Sequence, residues 1–186
     1  MNEIKQKHLR SLLRHIKLVQ DACQLLGERL IEIGHEEFGI ILIKNSLSHD
    51  QTKLMGIEWD YLVRDEDPEK LALAVRQHWT SNPHHPEYWG NINDMPPIYM
   101  AEMVCDCYAR SAEFGTDLRG WLKNDATKKF GMSPQGKAYK QIRQYVDLLL
   151  DDPLKPIQVK QTAESSASKI LKKNGNSNGN SNKNGS

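Results

Sequence analysis

Apolar residues in the first thirty positions recur at steps of three and four. Leu12, Val19, Ala22, Leu26 and Leu30, with His15 in the same register, mark one face of a long amphipathic helix over about residues 3–32. Gly34 supplies a stop signal. A second helix is expected from His35 to about Leu47 with Phe38, Ile41 and Leu42 as its apolar face, which leaves His49-Asp50 near its C-terminal end or just beyond. Gln51 to Gly56 carries no decisive pattern. Asp67-Pro68-Glu69 is a helix start, with an Asp cap, Pro in first position and an acidic first turn. That helix carries Leu71, Val75 and His78, and should end near Thr80, because Ser81-Asn82-Pro83 is breaker chemistry. A loop follows from Asn82 to Asn93, holding His84, His85, Tyr88 and Trp89. Asp94-Met95-Pro96-Pro97 begins a helix over about 96–114, and two shorter ones follow at about 116–129 and 134–151, the last opened by Ser133-Pro134. No segment alternates as a strand would, so the pattern predicts an all-α fold, a compact helical bundle over residues 1–152.

Composition changes after Pro153. From Lys172 to Ser186 the chain is Asn, Gly, Ser and Lys with no apolar residue. Such a stretch buries too little surface to offset its ordering entropy, so residues 153–186 are expected to form a mostly disordered tail, with one weak helix at most around Ile170-Leu171. Charge is balanced, 25 basic against 24 acidic residues, which removes the electrostatic argument for a nucleic-acid or membrane partner. No apolar run approaches the ~20 residues that span a bilayer, and Met1-Asn2-Glu3-Ile4-Lys5 opens a polar amphipathic segment without a secretory apolar core. A cytoplasmic protein is the expectation. Cys23, Cys105 and Cys107 have no framework spacing and read as small buried hydrophobes in a reducing compartment.

The chemistry lies in the histidines and two aspartates. His15, His49-Asp50, His78, His84-His85 and Asp106 follow one another along the chain. Imidazole and carboxylate suit Mn, Fe, Co, Ni and Zn, and all-oxygen shells suit Mg. A His beside an Asp at a helix end offers two ligands from one short stretch, and the two oxygens of a carboxylate such as Asp50 can bridge two metals. Two-metal sites clamp the attacking and leaving oxygens of a phosphoryl displacement. Taken singly, each residue has an ordinary role as a core histidine, a helix-terminal polar pair or a turn. Asp106 is the hardest to read that way, since a carboxylate on a largely apolar helix needs a partner or a metal. Glu102 lies one turn earlier on the same face, where it could accept a hydrogen bond from a ligating histidine.

This order resembles the HD superfamily of metal-dependent phosphohydrolases, and the histidine doublet resembles its bimetallic branch, which includes the HD-GYP phosphodiesterases. His49-Asp50-Gln51-Thr52-Lys53 is similar to that branch's His-Asp-x-x-Lys stretch, and Asn82-Pro83-His84-His85-Pro86-Glu87-Tyr88-Trp89 resembles a small HD-like family of bacteria and phages. The resemblance covers about residues 15–110. It implies an HD-type helical bundle in which His15, His49, Asp50 and Asp106 hold a first divalent metal. Asp50 would bridge to a second metal held by His78 and one or both of His84 and His85, and Lys53 would contact the substrate phosphate. No Gly-Tyr-Pro motif follows the doublet, so cyclic-dinucleotide specificity is not implied.

The expected function is therefore a divalent-metal-dependent phosphohydrolase acting on a small phosphorylated molecule, a nucleotide in the first instance, with Asp50 and Lys53 as catalytic residues and one or two ions as cofactor. Two alternatives stay open: an HD-fold di-iron oxygenase, and a non-catalytic metal- or nucleotide-binding module. Arg14, Lys17 and Arg76 read as surface residues, Trp79, Tyr88 and Trp89 as packing anchors near the histidines, and His8 and His35 are not assigned to the site.

Overall fold

Helix periodicity in the sequence becomes helices in space. The computed structural model describes residues 3–61 and 67–150, and the expected tail with its weak helix lies outside them. Among the described residues there is no strand, and the fold is all-α. No helix among them is long and apolar enough to cross a membrane.

Helix α1 runs Glu3–Glu32 and buries Leu12, His15, Val19, Ala22, Leu26 and Leu30, the face that the spacing marks. Gly34, at φ 89, ends it in the left-handed region that glycine enters without strain. Helix α2 runs Glu36–Ser46, and His35 is its cap residue rather than its first turn. Beyond it, His49-Asp50 sits in a tight turn that leads into a short 3-10 turn, Gln51–Leu54. Helix α3, Gly56–Tyr61, is not anticipated by the apolar pattern. Helix α4, Pro68–Ser81, is capped as its sequence indicates: the Asp67 carboxylate accepts from the Glu69 and Lys70 amides, both at 3.2 Å.

The loop expected over 82–93 contains one more turn of helix, α5, Pro86–Trp89, with Pro in its first turn. Helix α6, Pro97–Phe114, is the central element and buries Met100 to Cys105 and Ala109. The segment expected as one short helix starts as α7, Leu118–Gly120, widens into a π turn, Trp121–Ala126, and closes as α8, Thr127–Lys129. Helix α9, Lys137–Leu149, begins three residues after Pro134. Residues 133–136 instead close a turn in which the Gly136 amide donates to the Ser133 carbonyl at 2.8 Å.

The core forms where α1 packs on α2 and α6, and α6 on α9. Tyr145 of α9 is fully buried and stacks on Phe38 of α2, with ring centroids 6.0 Å apart. Cys23 and Cys105 are buried in this core and Cys107 is half-buried; all three are free thiols. Helices α1 and α2 approach closely at Gly27 and Gly39. A Cβ on Gly39 would lie 2.4 Å from the Gly27 carbonyl oxygen, and backbone cannot yield as a side-chain tip can. Gly39→Ala is therefore expected to destabilise the protein by about 3 kcal/mol, at the upper end of overpacking costs. Urea unfolding followed by circular dichroism reads this, and an unchanged midpoint would refute the close approach.

Candidate metal centre

Four elements deliver the polar cluster. His15 projects from the buried face of α1, His49-Asp50 from the turn after α2, His78 from the last turn of α4, and Asp106 from α6. His84-His85 comes from the turn between α4 and α5. That turn is pinned at both ends. Asn82 Nδ2 donates to the His78 carbonyl at 2.8 Å, and Trp89 Nε1 donates to the Pro83 carbonyl at 2.8 Å. Asp50 has φ 57, and among the described residues it is the one non-glycine in the left-handed region. Asp tolerates that conformation better than most residues, and such local strain gathers at functional sites.

The Asp50 carboxylate is fully buried, and its two oxygens face opposite ways. Oδ2 lies 3.7 Å from His15 Nε2, 3.6 Å from His49 Nε2 and 2.5 Å from Lys53 Nζ. Oδ1 lies 3.4 Å from His78 Nε2 and 3.5 Å from His84 Nε2. Asp106 Oδ1 approaches His15 Nε2 at 3.1 Å, and His85 Nε2 approaches His78 Nε2 at 2.9 Å. Donor atoms thus gather as His15–His49–Asp106 on one side and His78–His84–His85 on the other, with His49–Asp50–His84 between them. The Nε2 atoms of His15, His49 and His84, with Asp50 Oδ1 and Asp106 Oδ1, are buried without an aligned hydrogen-bond partner. Even the 3.1 Å contact between His15 and Asp106 is not so aligned. Buried polar atoms in folded proteins are nearly always paired, and ligands about 2.0–2.2 Å from a common ion lie roughly 3–3.5 Å from one another. These buried groups can hold a metal ion.

Behind the inward-facing nitrogens stands a ring of carboxylates. His49 Nδ1 donates to Glu102 Oε1 at 3.0 Å, and His78 Nδ1 donates to Glu58 Oε2 at 2.8 Å, where the Thr52 hydroxyl also donates at 2.9 Å. His15 Nδ1 lies 3.3 Å from Glu113 Oε2, without an aligned hydrogen bond. A carboxylate on Nδ1 holds the proton there and leaves the Nε2 lone pair for a cation. Glu102 was expected in this role from its place on α6. Glu58 and Glu113 were not. Glu58 sits on the short helix that the pattern does not reveal, whereas Glu113 carries a legible signal: it falls two turns after Asp106 on the same face of α6.

Five carboxylates (Asp50, Asp106, Glu58, Glu102 and Glu113) thus face Lys53 inside the cluster and Arg110 at its rim. An excess of buried negative charge is costly unless cations offset it. The chain belongs to the DUF5662 family. The match spans residues 4–151, and the family is described as one of unknown function. No curated protein and no solved structure matches the chain. In this DUF5662 member every residue of the candidate ligand set therefore lies within the family's span.

The electrostatics favour neutral imidazoles and ionised aspartates. Burial pushes His78, His84 and His85 down to about 3. Burial works against the Asp50 charge, but His49 and Lys53 outweigh it and hold the carboxyl well below the carboxylate range. Asp106 is likewise held low, with His15 and His49 outweighing burial. His49 runs the other way: burial disfavours its imidazolium, yet the Glu102 hydrogen bond and the Asp50 charge raise it above its ordinary value.

Between about pH 3 and 6.5 the unfolded chain therefore binds more protons at His78, His84 and His85 than the folded one does. Stability rises with pH through that window, and the depressed aspartates add to it at the acid end. The raised His49 and the raised Glu58 oppose the trend, but the lowered groups outnumber them. The metal-free protein is expected to lose urea resistance steadily from pH 7 to pH 4, and a flat or rising profile would contradict these environments.

Of the remaining residues, Arg14, Lys17 and Arg76 are exposed, and Lys17 pairs with Asp21. His8 packs against Trp59, outside the ligand groups, with ring centroids 5.9 Å apart. A cavity of about 170 Å³ opens beside His49, Asp50 and His84, walled by Asn45, Ser48, Asn82, Pro83, Tyr99 and Glu102. Lys53 does not line this cavity.

Proposed function

We propose that the protein is a divalent-metal-dependent phosphohydrolase of the HD type, acting on a small phosphate ester such as a nucleotide. One observation carries the reading: a single buried carboxylate, Asp50, turns one oxygen to each of two histidine groups. That is the arrangement by which a carboxylate bridges a pair of divalent ions. When bound, such ions supply Lewis acidity and bring a coordinated water toward ionisation near neutral pH.

His15, His49 and Asp106 would hold one ion, and His78, His84 and His85 the other. The chain's own residues do the remaining work. Glu102 and Glu58 fix the imidazoles of His49 and His78 by hydrogen bonds, and Glu113 faces that of His15. The cavity admits the phosphoryl end of a substrate beside Asp50, and the neutral hydrogen-bonding part of its wall, Asn45, Ser48, Asn82 and Tyr99, positions that group, while the Glu102 carboxylate in the same wall is engaged by His49. At about 170 Å³ the cavity is smaller than the ~300–1,000 Å³ pockets that enclose a drug-sized ligand. The leaving portion of a nucleotide would therefore project outward. Lys53 stands outside this cavity, paired to Asp50 Oδ2, and would act on the charge that phosphoryl oxygens gain only through its field across Asp50.

Elemental analysis of protein purified without chelator, followed by phosphate-release assays over phosphate esters with Mn, Co, Ni, Fe, Zn and Mg, tests the proposal. Bound transition metal with metal-dependent phosphate release supports it. Metal-free protein with no release under any ion refutes it, and bound iron with oxygen uptake but no phosphate release would move the site to the oxygenase class.

A further inference from the structure

The rings of His49 and His84 lie side by side and tilted, with centroids 4.3 Å apart and planes at 40°. One belongs to each histidine group. In front, their Nε2 atoms meet opposite oxygens of Asp50, His49 at Oδ2 and His84 at Oδ1. Behind, their Nδ1 atoms meet the same atom, Glu102 Oε1, His49 through a 3.0 Å hydrogen bond and His84 at 3.6 Å. The other two carboxylates serve one group each: Glu113 lies behind His15, and Glu58 behind His78. The geometry points to Glu102 as the positioning residue that both cation positions share, so that one side chain sets the affinity of the pair. The inference rests on the two-ion reading of the site.

The physical case is one of charge and placement. A carboxylate facing Nδ1 of a ligating histidine holds the ring's tautomer and orientation and raises its basicity. Glu102 does this for His49 by a charge-assisted hydrogen bond and for His84 by its field alone, since 3.6 Å is too long for a bond. Both imidazoles are buried, so the carboxylate's charge is weakly screened at each. Glu102 is itself almost wholly buried on α6, four residues before Asp106, so its position is fixed by the helix that carries a ligand of the first group. Replacing it with glutamine keeps the shape and one acceptor but removes the charge that reaches both rings.

The test is titration of Mn²⁺ into chelator-stripped full-length protein, read by calorimetry for stoichiometry and affinity and by electron paramagnetic resonance. Two manganese ions bridged by one carboxylate give an exchange-coupled spectrum, and a lone ion gives an isolated one. The wild type is expected to take up two ions and show the coupled signal. Glu102→Gln should weaken both binding steps, each by about 10–100-fold. Glu113→Gln and Glu58→Gln should each weaken one step by a similar factor and spare the other, leaving an isolated-ion spectrum at intermediate manganese. A purely structural role for Glu102 would lower the melting temperature without this pattern. If Glu102→Gln does not fold, Glu102→Asp, which withdraws the charge by one methylene, should give the same loss at both steps. A Glu102 variant that weakens only one step or neither, while the other two glutamates behave as described, overturns the inference and leaves the two-ion reading standing. A wild type that binds no Mn²⁺, or a single ion, overturns the two-ion reading itself.

Discussion

Replacing Asp50 with asparagine is expected to remove both metal loading and phosphate release while leaving the helical content intact. Asparagine has the size of aspartate and also tolerates the left-handed backbone found at position 50, so the turn survives. What it lacks is the second anionic oxygen. In the wild type, Oδ2 faces His15, His49 and Lys53 while Oδ1 faces His78 and His84, and an amide presents an oxygen to one side and an NH2 group to the other. One cation position would therefore meet a donor where it needs an acceptor. Lys53 would lose the partner it holds at 2.5 Å, adding positive charge to the cluster. The loss in metal affinity should exceed the ~10–100-fold typical of residues one layer behind the ligands. Elemental analysis and phosphate-release kinetics on the purified variant read both effects. Full metal content with full activity would end the phosphohydrolase account.

Metal removal is expected to cost the protein more stability than most single substitutions do. Without cations, the carboxylates of Asp50, Asp106, Glu58, Glu102 and Glu113 have Lys53 within the cluster and Arg110 at its edge as their cationic partners among lysines and arginines. An ion that binds the folded chain and not the unfolded one stabilises it by about 2.7 kcal/mol per site when free ion is 100 times its dissociation constant. For a chain of this size that raises the melting temperature by about 5–10 °C for each site filled. Thermal unfolding after chelation, then with increasing Mn²⁺, should show a melting temperature that climbs with ion concentration. A melting temperature that ignores both chelator and metal would mean that the buried nitrogens serve no cation.

The bundle was legible because most of its helices announce themselves locally. The steps of α1 from Leu12 to Leu30 and the Asp67-Pro68 cap of α4 are determined by residues within a turn or two of each other. Helix α3 was not legible: Glu58-Trp59-Asp60-Tyr61 has no apolar period, and Glu58 is buried because His78, twenty residues away in sequence, meets it. The start of α9 was misplaced because Ser133-Pro134 can open a helix, yet here it forms a turn that delays the helix to Lys137.

The candidate site was legible as chemistry and order. Seven residues from His15 to Asp106 could be named before any geometry was known, and the fold brings them together. What the sequence left open was the part that depends on backbone direction. Whether one or both histidines of the doublet face the second group follows from the turn that Asn82 and Trp89 pin, and both do. The opposed aim of the Asp50 oxygens depends on a left-handed residue that no neighbour announces.

The central claim is that two cations sit on either side of Asp50. Crystals of the full chain grown with Mn²⁺ and measured at the manganese absorption edge test it most directly. The account predicts two anomalous peaks: one within bonding reach of His15, His49, Asp106 and Asp50 Oδ2, the other within reach of His78, His84, His85 and Asp50 Oδ1. A map with no peak at the cluster, or with manganese bound only at the protein surface, would contradict it.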